Sequence, residues 1–225
     1  MLYAVGDIHG EREKLEALLA ALPLQHGDRV VFVGDYVDRG PDARGVVDLL
    51  IEFSRRHLCV FLIGNHESMF LDFLGWRRNE YFAGDAFLAN GGDRTLVSYG
   101  YFDCDDPDPL RFELPPEHVA FYRNLRLHHR EGDYVFVHAG IGRQLLDESD
   151  VSFALKRARC EDLLWDRGGI DLPHRLGVTL VYGHTPDPSF QVRWNVPFGI
   201  GIDTGAVYGG PLTAIRLPDE TLFQV

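Results

Sequence analysis

Residues 29–40 read Arg29-Val30-Val31-Phe32-Val33-Gly34-Asp35-Tyr36-Val37-Asp38-Arg39-Gly40. An apolar, β-branched run of strand length breaks at a glycine, and two acids and an arginine follow at once. Gly-Asp after a strand is by itself the usual chemistry of a turn. The five fixed positions Gly34, Asp35, Asp38, Arg39 and Gly40, however, would arise together on the order of once in a million windows at average residue usage. A turn alone does not account for them.

Working outward, the same arrangement recurs. Leu2–Val5, Leu58–Ile63, Tyr134–Val137 and Thr179–Tyr182 are runs of strand length. They lead into Gly6-Asp7-Ile8-His9-Gly10, Gly64-Asn65-His66-Glu67, His138-Ala139-Gly140 and Gly183-His184-Thr185-Pro186. Helical spacing lies between the first three strands: Leu15, Leu18, Leu19 and Leu22 within Glu11–Leu22, then Val46, Val47, Leu50 and Phe53 within Ala43–Arg56. Strands alternating with helices predict an α/β fold with buried strands. In such sheets, loops at the carboxyl edge converge on one crevice. Five loops bringing Asp, His and Asn to that crevice predict a metal site. Asp7 and His9 stand two apart, so an extended segment turns both to one side. Asn65 and Glu67 can also open a helix through Leu74, as N-cap and first-turn acid.

The tail is different. Phe190–Trp194, Phe198–Ile202, Leu212–Leu217 and Thr221–Gln224 read as strands joined by short turns, a meander in a second or extended sheet. Residues 75–116 are the least regular and predict a mainly helical insertion or cap on a single domain spanning 1–225.

Apolar residues make up 45% of the 225, enough for one substantial core. No run approaches the ~18 uninterrupted apolar residues of a membrane span. Met1 to Val5 leads directly into the first motif, so no secretory leader is expected. Cys59, Cys104 and Cys160 are odd in number and form no Cys-x-x-Cys pair, which suits reduced thiols in a cytoplasmic protein. The formal net charge of −12, with no Lys/Arg-rich run, argues against a general nucleic-acid binder. An anionic substrate would have to be drawn in by local positive charge.

Taken in order, and with Asn90-Gly91-Gly92 and Ile202-Asp203-Thr204-Gly205-Ala206-Val207 added, the motifs resemble the phosphoprotein phosphatase family of metallophosphoesterases. The resemblance is closest to small bacterial and phage members such as the bacteriophage lambda protein phosphatase, and it covers nearly the whole chain. It implies a calcineurin-like β-sandwich of two mixed sheets flanked by helices. It further implies that Asp7 and His9 bind the first of two divalent metals, that Asp35 bridges both, and that Asn65, His138 and His184 complete the second. Asp38 and His66 would form the acid pair. Arg39 and Arg167, together with Asn65, would contact phosphate, and Tyr208 would face the substrate.

Oxygen and imidazole donors without thiolate favour Mn, with Fe or Zn next, over soft copper. A water shared by two such cations ionises near neutral pH and would attack phosphorus directly. His66, kept charged by Asp38, would protonate the leaving alkoxide. The expected substrate is a phosphorylated protein or a small phosphoester, and the expected activity is that of a serine/threonine protein phosphatase. Hydrolysis of dinucleoside polyphosphates such as diadenosine tetraphosphate is the alternative. It stands second because the scaffold's relatives with that activity usually lack the acid at position 38 and carry Asp where this chain has Glu67. A non-catalytic scaffold is a third reading, opposed by the complete set of candidate ligands.

Overall fold

The computed structural model describes residues 1–76 and 85–225. The chain begins with β1 (Leu2–Val5), α1 (Arg12–Ala21), β2 (Arg29–Phe32), α2 (Ala43–Ser54), β3 (Leu58–Phe61) and α3 (Asn65–Phe73). Next come the short α4 (Asp85–Phe87), α5 (Asp93–Ser98) and α6 (Pro116–Arg123). The second half holds β4 (His128–Glu131), β5 (Tyr134–Val137), α7 (Val151–Arg157), α8 (Cys160–Trp165) and β6 (Thr179–Tyr182), then β7 (Arg193–Asn195), β8 (Gly199–Gly201), β9 (Thr213–Leu217) and β10 (Thr221–Gln224).

Two five-stranded mixed sheets result. The first runs β10-β9-β1-β2-β3, with β1, β2 and β3 parallel and β9 and β10 antiparallel. The second runs β4-β5-β6-β8-β7, with β5, β6 and β8 parallel and an antiparallel strand at each edge. Alternation along each strand divides the core, because successive side chains point to opposite faces. Leu2, Ala4, Val31 and Val33 meet Phe136, Val181, Ile200 and Ile202 between the sheets. Tyr3, Val5, Val30 and Phe32 face outward under Leu15, Leu18, Val46 and Leu50 of α1 and α2. Val135, Val137, Leu180 and Tyr182 likewise pack under Val151, Ala154, Leu155 and Leu163 of α7 and α8. The order of layers is helices, sheet, sheet, helices, as expected.

The parallel strands of each sheet all end on one side, so their following loops share one edge. Two strand expectations change. The tail is not one meander: β7 and β8 join the second sheet, whereas β9 and β10 return to the first. Strand β4, His-His-Arg-Glu, has no apolar signature; it is an edge strand paired only to β5, so backbone hydrogen bonds rather than burial define it. Residues 77–84 of the expected insertion lie outside the described residues; the described remainder contains α4, a π-helical turn at Leu88–Gly92, α5 and a 3₁₀ turn at Pro109–Arg111. Among the described residues no helix is long and apolar enough to cross a membrane.

Candidate active site

Six strand ends, not five, contribute acids, imidazoles or amides. Asp7 and His9 follow β1, Asp35, Asp38 and Arg39 follow β2, and Asn65 and His66 open α3 after β3. His138 follows β5, His184 follows β6, and Asp203 follows β8. All are buried except Arg39, which is partly exposed. Asp203 lies in the Ile202–Val207 motif, and sequence reasoning misses it as a site residue. The signal was present, since an apolar strand ends in Ile202-Asp203 as other strands end in acid or imidazole.

The loops reach this geometry at a conformational cost. His9, Asp35, Asp38, Arg39 and His184 all have positive φ, between 46° and 69°. For residues other than glycine this costs about 1–3 kcal/mol each. Burying one Leu or Phe returns about 1.5–3 kcal/mol, so the three packed clusters sustain the strain. Two glycines allow close approach to the site carboxylates. A Cβ on Gly64 would stand 2.0 Å from Asp35 Oδ1, and one on Gly183 would stand 1.9 Å from Asp7 Oδ1.

Two groups of donor atoms converge on the two oxygens of Asp35. His9, Asp35 and His66 form one group; Asp35, His138 and His184 form the other. On one side His9 Nε2 is 3.4 Å from Asp35 Oδ2, and His66 Nε2 is 4.0 Å away. On the other, His138 Nε2 is 3.4 Å from Asp35 Oδ1. Asn65 Oδ1 lies 2.9 Å from both His138 Nε2 and His184 Nδ1. Asp7 stands beside these groups rather than within either. Its Oδ2 accepts the His184 N–H at 2.8 Å, and its buried Oδ1 has no partner.

Tautomers decide what such a cluster can hold. His138 Nδ1–H donates to the carbonyl of Val33 and His9 Nδ1–H to that of Val37, each at 2.9 Å. Each Nε2 is then a lone pair, and His138 directs its own at two further acceptors, Asn65 Oδ1 and Asp35 Oδ1. Acceptors facing acceptors, with an orphaned carboxylate oxygen alongside, fit divalent cations. The charge balance agrees. Burial, with Asp203 and Asp35 nearby, pushes Asp7 well above the usual carboxylate range, and burial pushes Asp203 up to about 6. Burial lowers His9 to about 3 and His184 to about 2, and lowers His138 too, keeping these imidazoles neutral as ligands must be.

His66 differs. Burial works against its charged form, but Asp35 and Asp38 outweigh burial and raise its pKa. Its Nδ1–H donates to Asp38 Oδ2 at 2.7 Å, and its backbone N–H donates to Asp35 Oδ1 at 3.1 Å. A buried imidazole whose charged form is favoured by two carboxylates has the setting of an acid.

Around this centre, Arg39 Nη1 lies 2.8 Å from His9 Nε2, and its guanidinium sits 5.6 Å from the Tyr208 ring centre. Tyr208 is half exposed, on a turn bracketed by Gly205 and Gly209. Lys14 Nζ ties that turn to α1 by donating to the carbonyls of Ala206 and Gly210 at 2.7 and 2.8 Å. Arg167 is exposed at the rim, close enough for its charge to act on His138, His184 and Asp203. Asp166 holds the Arg167 turn by accepting N–H bonds from Gly142, Gly168 and Gly169.

A two-sheet sandwich whose loops focus buried acids and imidazoles on a shared carboxylate defines a metal-dependent hydrolase of phosphate esters. More narrowly, the calcineurin-like phosphoesterase profile matches residues 2–188, and the chain belongs to that family, whose members use a dinuclear divalent metal centre. A bis(5'-nucleosyl)-tetraphosphatase PrpE (asymmetrical) of Oceanobacillus iheyensis is 30% identical over 98% of this chain and 90% of its own length. A crystal structure assigned to a diadenosine tetraphosphatase superposes with a TM-score of 0.69 at 27% identity, covering 100% of this chain and 92% of that one. A serine/threonine phosphatase of Saccharomyces cerevisiae shares the fold at 15% identity and a TM-score of 0.56, covering 100% and 78% of the two chains.

These relatives overturn the serine/threonine protein phosphatase expected from the motifs. Asp38 and Glu67 favour that activity over dinucleotide hydrolysis in the sequence, but both side chains are fully buried. Glu67 is a brace: its carboxylate accepts the backbone N–H of Asp35, Tyr36, Val37 and Gly64 at 2.7–3.2 Å. Asp38 addresses His66. Neither side chain is exposed, so neither offers a surface that would distinguish a phosphopeptide from a nucleotide.

Proposed function

We propose that this chain hydrolyses dinucleoside tetraphosphates, splitting them asymmetrically into a nucleoside triphosphate and a nucleoside monophosphate. The observation that carries the reading is full-length similarity, at 30% identity, to a relative named for that activity. Asp7, His9, Asp35, Asn65, His138 and His184 would hold two divalent cations, with Mn, Fe and Zn all suited to the donors. Bound there, the cations supply positive charge and a water acidified to act near neutral pH.

The chain's own residues do the rest. Arg39 offers a planar fork for two phosphate oxygens, and Arg167 guides the polyphosphate at the rim. Tyr208, beside Arg39, faces the incoming substrate. His66 carries the proton for the leaving oxygen, and Asp38 holds that imidazole in place. The described residues 85–116 would serve as a cap on the single domain.

The test is product chromatography of diadenosine tetraphosphate, 4-nitrophenyl phosphate and a phosphoserine peptide, each incubated with metal-reconstituted protein. Equal amounts of ATP and AMP from the dinucleotide, at higher kcat/KM than either other substrate, are expected. ADP alone would overturn the asymmetry. An untouched dinucleotide beside a dephosphorylated peptide would overturn the reading.

A further inference from the structure

The Asn90-Gly91-Gly92 motif supplies none of the candidate metal ligands, yet the helix that follows it, α5, carries a fully buried hydroxyl at Thr95. We propose that Thr95 is a positioning residue for the acid pair, the outer member of a Thr95–Asp38–His66 chain that aims the proton-bearing imidazole. The inference rests on the hydrolytic reading above, not on which phosphoester is cleaved.

Thr95 grips Asp38 twice. Its Oγ1 accepts the Asp38 backbone N–H at 2.9 Å and donates its own proton to Asp38 Oδ1 at 2.6 Å. With Oδ1 engaged, the carboxylate cannot rotate freely, and Oδ2 is left to take the His66 Nδ1–H at 2.7 Å. That bond fixes the ring so that Nε2 points toward Asp35. Asp38 and Arg39 both have φ of 69°, a conformation that persists only when surrounding structure holds it. The same segment supplies both restraints, because the Gly91 carbonyl accepts the Arg39 N–H at 3.1 Å.

The segment is itself anchored away from the site. Ser98 Oγ accepts the Arg44 N–H and donates to the Thr95 carbonyl, each at 3.0 Å, joining α5 to α2. The Tyr99 hydroxyl meets His118 Nδ1 at 2.7 Å, and His118 Nε2 meets Asp48 Oδ1 at 2.8 Å, joining α5 to α6 and α2. The far end of α5 is thus fixed, and its near end sets the catalytic loop. A threonine that merely filled space would need neither hydrogen bond.

The experiment is a double-mutant cycle of Thr95→Val and Asp38→Asn, with Thr95→Ser as the conservative variant. It is measured on whichever of diadenosine tetraphosphate, 4-nitrophenyl phosphate and phenyl phosphate the wild type turns over. If Thr95 acts through Asp38, Thr95→Val lowers kcat roughly tenfold on phenyl phosphate and by less on the two substrates with better leaving groups, with KM little changed, and the loss falls below about twofold once Asp38 is Asn. Thr95→Ser recovers to within about threefold of wild type, because the hydroxyl is retained. Equal losses in both backgrounds, a loss confined to KM, or a serine variant no better than valine would overturn the proposal. If Thr95→Val does not fold, the smaller Thr95→Ala replaces it in the same cycle. A wild type active on aryl phosphate but not on the dinucleotide refutes the substrate reading and leaves this test intact. A wild type inactive on all three refutes both.

Discussion

His66 shows most clearly how surroundings assign chemistry to one residue. Among the four imidazoles at this centre it alone is pushed up, by Asp35 and Asp38 against burial, while His9, His138 and His184 are pushed down. Its value as an acid depends on the leaving group. A phosphate chain, with its second pKa near about 6, departs with little help, whereas a phenol of pKa about 10 needs a proton. His66→Asn is therefore expected to lower kcat on phenyl phosphate by ~10²–10⁴-fold, the usual worth of general acid catalysis, and on diadenosine tetraphosphate by only about tenfold. Steady-state kinetics on both substrates checks this, and equal losses would show that His66 does not protonate the leaving oxygen.

The strands and their following loops were the most legible elements. An apolar run, a glycine and then a ligand type marks where burial stops and the carboxyl edge begins, and five loops could be placed that way. Strand β4 escaped notice because edge pairing needs no apolar pattern, and the split of the tail between sheets escaped because alternation does not say which sheet a strand joins. The contacts of α5 and of the Tyr208 turn were hidden for the same reason. Lys14 lies 192 residues from Ala206, and no spacing rule links an α1 lysine to two distant carbonyls. Lys14→Met should leave the melting temperature close to that of wild type but raise KM for the dinucleotide about three- to tenfold, as the Tyr208 turn loosens. An unchanged KM would separate that turn from substrate binding.

At the scale of the molecule, a chain of net charge −12 buries Asp7, Asp35, Glu67 and Asp203 at one edge of its two sheets. Burial and Asp35 push Glu67 up to about 8 despite the N–H groups it accepts, so the site as folded is short of positive charge. Two cations held about Asp35 would relieve that deficit and would make an acidic protein attractive to a polyphosphate. The sequence points to candidate ligands but cannot rank substrates, because Asp38 and Glu67 face inward. The shared carboxylate is the claim on which the rest depends, and metal analysis of chelated, reconstituted and desalted protein tests it directly. Wild type should retain two divalent ions per chain and Asp35→Ala essentially none, with the variant still folded by circular dichroism. One ion per wild-type chain, or an Asp35→Ala variant that keeps both, would contradict the account.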